Sequence, residues 1–222
     1  MNALFQASEM IQSFRAGSLR ATIAAIEKDL SSATAEPSSQ KLATLGIGPE
    51  LLAATILIKK NSSQIDEIIH AVGILLALPS ILQKGEIIES LSLAAGNTGK
   101  GFDLETNLRI AEFTFIHWQG GPEVIRQNKI FKDFYFLAEA NTTKKRELYT
   151  IGTDHPKKFF NSRRALHAIL DGNRKLGEAF RAKYGDLFRC VRDYYAPRER
   201  HVALRDITEH IPLLKQKHPN ES

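Results

Sequence analysis

Two carboxylates lie where the surrounding residues are typical of buried β-strand. In the stretch "GFDLETNLRIAEFTF", residues 101–115, Asp103 ends one short segment and Glu112 lies inside the apolar run that follows. An isolated buried carboxylate is costly unless it is paired, protonated or bound to a metal ion. Because Mg²⁺ takes one or two carboxylates together with water and phosphate oxygens, the two side chains predict a divalent-metal site suited to phosphodiester cleavage.

Ordinary ion pairing is the alternative explanation for Glu112. Arg109 and Arg126 are close in sequence, and either could neutralise the carboxylate on a half-exposed strand without any metal. Side chains alternate along a strand, so Glu112 and Thr114 are expected on one face and Phe113 on the other.

The sequence predicts the order of the helices and strands that must position these residues. Helices are predicted on either side of the two carboxylates, over residues 63–78 and 120–140. Strands are predicted over four segments, residues 86–93, 102–106, 110–118 and 147–152. The first helix places apolar side chains on one face, namely Ile65, Ile68, Ile69, Val72 and Leu76, and is expected to stop at Pro79. The order αβββαβ, followed by helices over 156–170 and 174–195, indicates the mixed α/β class with a mixed sheet.

The N-terminal part of the chain is predicted as a separate helical region. Helical spacing over residues 4–30 is followed by the polar, proline-containing stretch "SSATAEPSSQ" at 31–40, and a further helix is expected to begin at Pro49. Residues 1–60 therefore form a predicted N-terminal arm, and residues 61–222 form the predicted core with a basic C-terminal helical segment.

An acidic residue on the second strand, Glu112-Phe113-Thr114 on the third, and an αβββαβ core together resemble the PD-(D/E)XK nuclease superfamily, whose fold is restriction-endonuclease-like. The resemblance covers roughly residues 63–170. It implies that Asp103 and Glu112 hold Mg²⁺ or Mn²⁺. It also implies that Glu67 on the first helix joins them and that Gln127 on the second helix could face the site.

The chain departs from the family pattern at Thr114, where the motif calls for a lysine. Threonine cannot supply a cation, and loss of a positioned proton-handling group costs about 10²- to 10⁴-fold in rate. Families of this fold sometimes take that charge from the helix, which makes Lys129 and Lys132 the candidates, with Arg126 third. The alternative is that these are plain surface residues.

Positive charge is concentrated in the C-terminal third. The net charge of the chain is +5, but residues 142–222 hold 18 Lys and Arg against 10 Asp and Glu, a net charge of +8. Basic residues here are predicted to follow a nucleic-acid backbone: Lys157, Lys158, Arg163, Arg164, Arg181, Arg189 and Arg192. A solvated helix surface is the alternative explanation.

Composition indicates a folded cytoplasmic protein. The chain has 222 residues, of which 43% are hydrophobic, which is enough for a sizeable core. Its single cysteine, Cys190, predicts no intramolecular disulfide, and the first residues lack the layout of a signal peptide. No uninterrupted apolar run reaches the roughly 18 to 20 residues of a membrane span, so none is expected.

These features predict a metal-dependent deoxyribonuclease, a hydrolase that cleaves DNA with Mg²⁺ or Mn²⁺. The alternative is a catalytically inactive module of the same fold that binds nucleic acid or a protein partner, because Thr114 lacks the motif's cation. The predicted partners are DNA and a further protein, either a defence or repair subunit or a second copy of the chain. Both functions predict salt-sensitive DNA binding, so only metal-dependent turnover separates them.

Overall fold

The structure is a computed structural model that describes residues 2–15, 18–30, 42–62, 65–93, 101–118 and 123–215. The chain divides into two compact units, Met1–Asp66 and Glu67–Ser222. The predicted linker at 31–40 and most of the predicted loop at 94–101 lie outside the described residues.

The first unit contains the predicted N-terminal helices. They are α1 (Ala3–Arg15), α2 (Leu19–Leu30) and α3 (Pro49–Ser62). Proline suits the first position of α3 because its missing N–H would have no helical acceptor there. Helix α1 packs against α3, and Ala7 and Ala54 are buried on these two helices.

The second unit has mixed α/β architecture. Its elements begin with α4 (Ile65–Ile81), β1 (Ile88–Leu91), β2 (Leu104–Thr106), β3 (Arg109–Thr114), α5 (Val124–Glu139) and β4 (Lys145–Thr150). They continue with α6 (Asp154–Phe160), α7 (Leu166–Leu170), α8 (Arg174–Tyr184), α9 (Val191–Tyr195) and β5 (Ala203–Asp206). The described elements therefore include the predicted order αβββαβ, and β5 is a strand that the sequence pattern did not predict.

The five strands form one mixed sheet in the order β1-β2-β3-β4-β5. The pairs β1/β2 and β2/β3 are antiparallel, whereas β3/β4 and β4/β5 are parallel. Leu104 pairs with Ala111, so Asp103 at the start of β2 lies beside the C-terminal half of β3. Thr114 pairs with Thr150, so β3 and β4 end at the same edge of the sheet.

Each face of the sheet has its own apolar core. Ile110 and Leu148 belong to a cluster with Phe131 and other residues of α5 and of the C-terminal helices. Phe113 belongs to a second cluster with Ile74 and other residues of α4. The predicted alternation along β3 is therefore confirmed, and α4 and α5 lie on opposite faces.

Helix α4 differs from its prediction in two ways. The predicted apolar face is the exposed one, with Ile68 54% and Leu76 59% exposed, whereas His70 and Ile74 are buried. The helix is apolar around most of its circumference, so its periodicity does not select the face that packs. It also continues through Pro79 to Ile81, since the fixed φ of proline is compatible with a helix and the loss is the single hydrogen bond of the missing N–H.

The two predicted C-terminal helices are each divided in two. The stretch 174–195 separates into α8 and α9 at Gly185, whose φ of 55° ends the helix in a conformation that favours glycine. The stretch 156–170 separates into α6 and α7, and Ala165 after this break pairs with Cys190 in an isolated β-bridge.

Two charged clusters stabilise the second unit away from the sheet edge that carries Thr114. Arg109 donates from Nε to Glu86 at 2.6 Å and from Nη1 to Glu147 at 2.7 Å, and the Glu86 side chain is fully buried. Glu139 accepts hydrogen bonds from Lys183 Nζ at 2.5 Å and from the hydroxyls of Tyr184 and Tyr194, both at 2.6 Å. Burial alone would raise the pKa of both glutamates, but these hydrogen bonds outweigh burial and hold each pKa at about 2.

Within the described residues, one helical stretch, Pro49–Ile81, is long and apolar enough by length and composition to cross a membrane. It comprises α3 and α4, and 29% of its most apolar window is buried. Core helices of soluble proteins pass the same test. The absence of a membrane span stays a prediction.

Candidate metal site and basic surface

Asp103 is held in a fixed orientation at the start of β2. The backbone N–H of Phe113 donates to its Oδ2 at 2.9 Å, and His70 Nε2 on α4 lies 3.3 Å from its Oδ1. Burial would raise the pKa of Asp103, but the bonds from His70 and Phe113 outweigh it and hold the pKa below its usual range. Asp103 is therefore an anchored, ionised carboxylate.

Glu112 lies next to Asp103 and carries the opposite pKa shift. Burial, followed by the charges of Asp133 and Asp103, raises the pKa of Glu112 to about 10. The two arginines that might have neutralised it have other partners, since Arg109 binds Glu86 and Glu147 and Arg126 binds Glu123. Without a bound cation, Glu112 is therefore protonated at neutral pH and bonds to Asp103.

Helix α5 brings a lysine to the position where the motif lacks one. Lys129 Nζ donates to Thr114 Oγ1 at 3.3 Å and to Asp133 Oδ2 at 3.3 Å. Burial would lower the pKa of Lys129, but the charges of Asp133 and Asp103 outweigh it and raise the pKa. Lys129 is therefore a permanent cation beside Thr114.

The other predicted site residues are distributed as follows. Gln127 is 7% exposed, and its Oε1 is a buried atom without a hydrogen-bond partner among the described residues. Glu67 is exposed on α4, one turn before His70. Lys132 is exposed on α5, so Lys129 is the lysine of this helix that reaches Thr114. Glu67 as a metal ligand stays a prediction.

The chemistry of the donor set fits a divalent cation. Asp103, Glu112 and Asp133 place three carboxyl groups close together, and a cation would relieve the repulsion that raises the pKa of Glu112. Among the described residues no group of three or more His, Cys, Asp and Glu side chains is arranged to hold a metal ion. Asp103 and Glu112 alone would fit Mg²⁺ or Mn²⁺ in the mode common for Mg²⁺, in which one or two carboxylates bind the ion and water completes its coordination.

A small pocket opens beside this site at the common edge of β3 and β4. Thr114 and Arg126 line it together with Trp118, Thr150 and Pro156. Trp118 stacks on His155, with ring centroids 6.2 Å apart. Because Pro156 is part of the lining, helix α6 borders the same pocket as Thr114.

Six of the seven predicted nucleic-acid-binding residues come from segments that the fold brings together. The β-bridge between Ala165 and Cys190 joins the turn after α6 to the start of α9, and α6 also packs against α9. The basic surface formed here consists of Lys157, Lys158, Arg163, Arg164, Arg189 and Arg192. In the described part of the chain none of these six pairs with a carboxylate, whereas Arg181 on α8 pairs with Asp171. Arg164 is half-buried, and its Nε is without a partner among the described residues.

Sequence reasoning missed two residues of the site. His70 lies in an apolar helix, and no local pattern marks it as a partner of Asp103. Asp133 lies four residues after Lys129, which is a common spacing for exposed helix pairs and gave no reason to expect burial. The apolar stripe of this helix, which includes Phe131 and Phe134, was the available signal, because Asp133 is next to Phe134 in the sequence.

Comparisons with models of protein families, with curated proteins and with solved structures returned no match.

Proposed function

We propose that the second unit is a metal-dependent nuclease of the PD-(D/E)XK type, which hydrolyses phosphodiester bonds of DNA. The observation that carries the proposal is the contact between Lys129 and Thr114 at 3.3 Å. It supplies a cation at the motif position that the sequence leaves neutral. The element order and the pair Asp103 and Glu112 agree with the family pattern, and the restriction-endonuclease-like identity of the fold is part of the same proposal.

Asp103 and Glu112 would hold the metal ion. When bound, Mg²⁺ or Mn²⁺ supplies a Lewis acid and a water molecule of lowered pKa. His70 and the Phe113 N–H keep Asp103 in one orientation, so little reorganisation is needed when the ion arrives. The proton on Glu112 leaves as the carboxylate becomes a ligand, since metal ligands bind in the deprotonated form.

Lys129 contributes its positive charge and does not accept a proton as a general base would. Its pKa is raised, so the ammonium keeps its proton at neutral pH. An ammonium beside the scissile phosphate stabilises the negative charge that develops in the transition state. In the family that the chain resembles, the lysine on the third strand helps to orient or activate the attacking water, and an ammonium that keeps its proton would do so through its charge.

The basic surface begins next to the pocket that Thr114 lines. Helix α6 borders the pocket beside Thr114 and carries Lys157 and Lys158. The remaining arginines of the basic surface follow through the bridge between Ala165 and Cys190. Unpaired basic side chains of this kind bind phosphates and release counterions, so DNA affinity is expected to fall with salt.

A catalytically inactive binding module is the second candidate. The observation that favours it is that the described residues contain no group of three His, Cys, Asp and Glu side chains set to hold a metal. Such a module would keep the basic surface and use it to bind nucleic acid or a protein partner. Localisation in the cytoplasm and a role in defence or repair belong to the proposal in either form.

A cleavage assay on supercoiled plasmid and single-stranded DNA, with Mg²⁺, Mn²⁺ or EDTA, tests the proposal. We expect metal-dependent cleavage that Asp103→Asn and Glu112→Gln abolish and that Lys129→Met reduces by about 10²- to 10⁴-fold. Glu105→Gln is the matched control, because Glu105 lies on the same strand as Asp103 but binds Lys144 at 2.8 Å. Cleavage that persists in both carboxylate variants contradicts the site. Salt-sensitive DNA binding without cleavage by any metal favours the binding module.

A further inference from the structure

We propose that Asp133 is the positioning residue that fixes the Lys129 ammonium against Thr114, so that helix α5 and strand β3 together provide the cation of the site. The inference rests on the proposed nuclease function and extends it to a residue that no motif identifies. Asp133 acts through Lys129 and does not itself touch the substrate.

The three side chains form a closed set of contacts. Lys129 Nζ lies 3.3 Å from both Thr114 Oγ1 and Asp133 Oδ2, and Thr114 Oγ1 donates to the same Oδ2 at 3.4 Å. Lys129 and Asp133 are one helical turn apart on α5, which suits an ion pair, and Thr114 adds a second element. The ammonium is thereby held from two sides.

Burial distinguishes this pair from an ordinary helix pair. The Asp133 side chain is 5% exposed, whereas that of Lys129 is 40% exposed. The pair of the same spacing between Arg174 and Glu178 on α8 has both side chains largely in solvent, at 90% and 61% exposed. A lysine with a flexible, half-exposed side chain needs a fixed partner to stay in one place, and a buried carboxylate provides it.

The test is a double-mutant cycle on the full chain. The proteins are wild type, Asp133→Asn, Lys129→Met and the double variant, assayed for Mn²⁺-dependent cleavage. Asparagine keeps the shape of Asp133 and still accepts from Thr114 but has no charge. We expect Asp133→Asn to lower kcat by about 10- to 100-fold with little change in KM. The double variant should be no slower than Lys129→Met, because Asp133 acts only through Lys129.

Effects that multiply in the double variant would show that Asp133 acts independently of Lys129 and would overturn the proposal, as would an unchanged kcat in Asp133→Asn. If Asp133→Asn does not fold, Thr114→Val is the second variant. It removes the shared hydroxyl, and its loss of kcat should likewise disappear in the Lys129→Met background. Glu178→Gln, the acid of the exposed pair on α8, is the matched control and should leave kcat unchanged.

A second readout separates this inference from the proposed function. The same four proteins are compared for binding of a short DNA duplex in Ca²⁺ by filter retention. If no protein cleaves DNA, the nuclease proposal fails, yet a loss of affinity in Asp133→Asn that vanishes in the Lys129→Met background still supports the positioning role. Losses of affinity that multiply overturn it.

Discussion

At the residue scale, the two carboxyl groups of the site differ in how easily they ionise in the folded protein. Asp103 is ionised and satisfied by His70 and the Phe113 N–H, whereas burial and the charges of Asp133 and Asp103 hold the pKa of Glu112 at about 10. A raised pKa means that the folded state prefers the protonated acid. The contribution of Glu112 to stability is therefore complete below its unfolded pKa of 4.5 and declines as the pH rises toward about 10.

Glu112→Gln is expected to stabilise the metal-free protein at pH 7 to 8 while removing activity. Glutamine has nearly the same shape and no charge, so the free energy of unfolding should rise by about 0.5–2 kcal/mol in urea titrations with EDTA. Mn²⁺ should raise the stability of wild type and not that of the variant, because a ligand stabilises only the state that binds it. Glu105→Gln is the control and should give no gain, since it removes the ion pair with Lys144. A less stable Glu112→Gln protein would contradict the assignment.

At the element scale, the residues of the proposed site are divided between a strand and a helix. Strand β3 provides Glu112 and Thr114, and helix α5 provides Lys129 and Asp133, which both contact Thr114. In the proposed site, the cation and the carboxylate of the motif would therefore come together in space, although fifteen positions along the chain separate the threonine from the lysine. A lysine placed on strand β3 should then be able to replace the lysine of helix α5.

Returning the lysine to the strand tests this division. In the Lys129→Met background, Thr114→Lys should recover cleavage by about tenfold or more, because the ammonium again lies beside the scissile phosphate and Asp133. In the wild-type background the same change places two cations together and should give little gain. Steady-state cleavage rates in Mg²⁺ measure both outcomes. A double variant that binds Mn²⁺ but cleaves no faster than Lys129→Met would show that Lys129 has a different role.

The sequence predicted the helices and strands better than it predicted which side chains contact one another in the folded protein. The alternation of apolar and polar residues, together with the turn residues, located the strands around Asp103 and Glu112. A half-buried sheet imposes this alternation on each strand. Strand β5 was missed because its four residues include Arg205 and Asp206 and are only partly buried. Lys129 could be named only as one of several candidates, since the register between α5 and β3 depends on packing. The contacts that His70 and Asp133 make also depend on that packing, so neither residue could be assigned to the site from the sequence.

At the scale of the whole molecule, the second unit depends on carboxylates that are ionised in the folded state. Glu86 and Glu139 lie in separate clusters, one beside the sheet and one among the C-terminal aromatic residues, and each has a pKa of about 2. Both values are depressed from 4.5. The stability that these groups contribute is complete above pH 4.5 and is lost as the pH falls toward about 2.

The second unit should therefore lose stability steeply in acid. Urea titrations between pH 7 and pH 3 should show a nearly constant free energy of unfolding at the upper end and a marked decline below about pH 4.5. Glu139→Gln should lower stability at pH 7 and make the acid decline shallower, because one of the two depressed groups is gone. An acid decline that is as steep in Glu139→Gln as in wild type would show that other carboxylates control it.

Trp118, which stacks on His155 beside the pocket, is an intrinsic fluorescence reporter of the site. Trp118 is the sole tryptophan of the chain, and it lies in the second unit near Thr114 and Arg126. Its emission therefore follows the surroundings of the site without any label, and the helices of the first unit do not contribute to it. A thermal melt recorded by this emission reports the second unit alone, whereas far-ultraviolet circular dichroism reports the helices of both. If the two curves coincide, the units unfold as one cooperative body, and if they separate, the N-terminal arm is an independent folding unit.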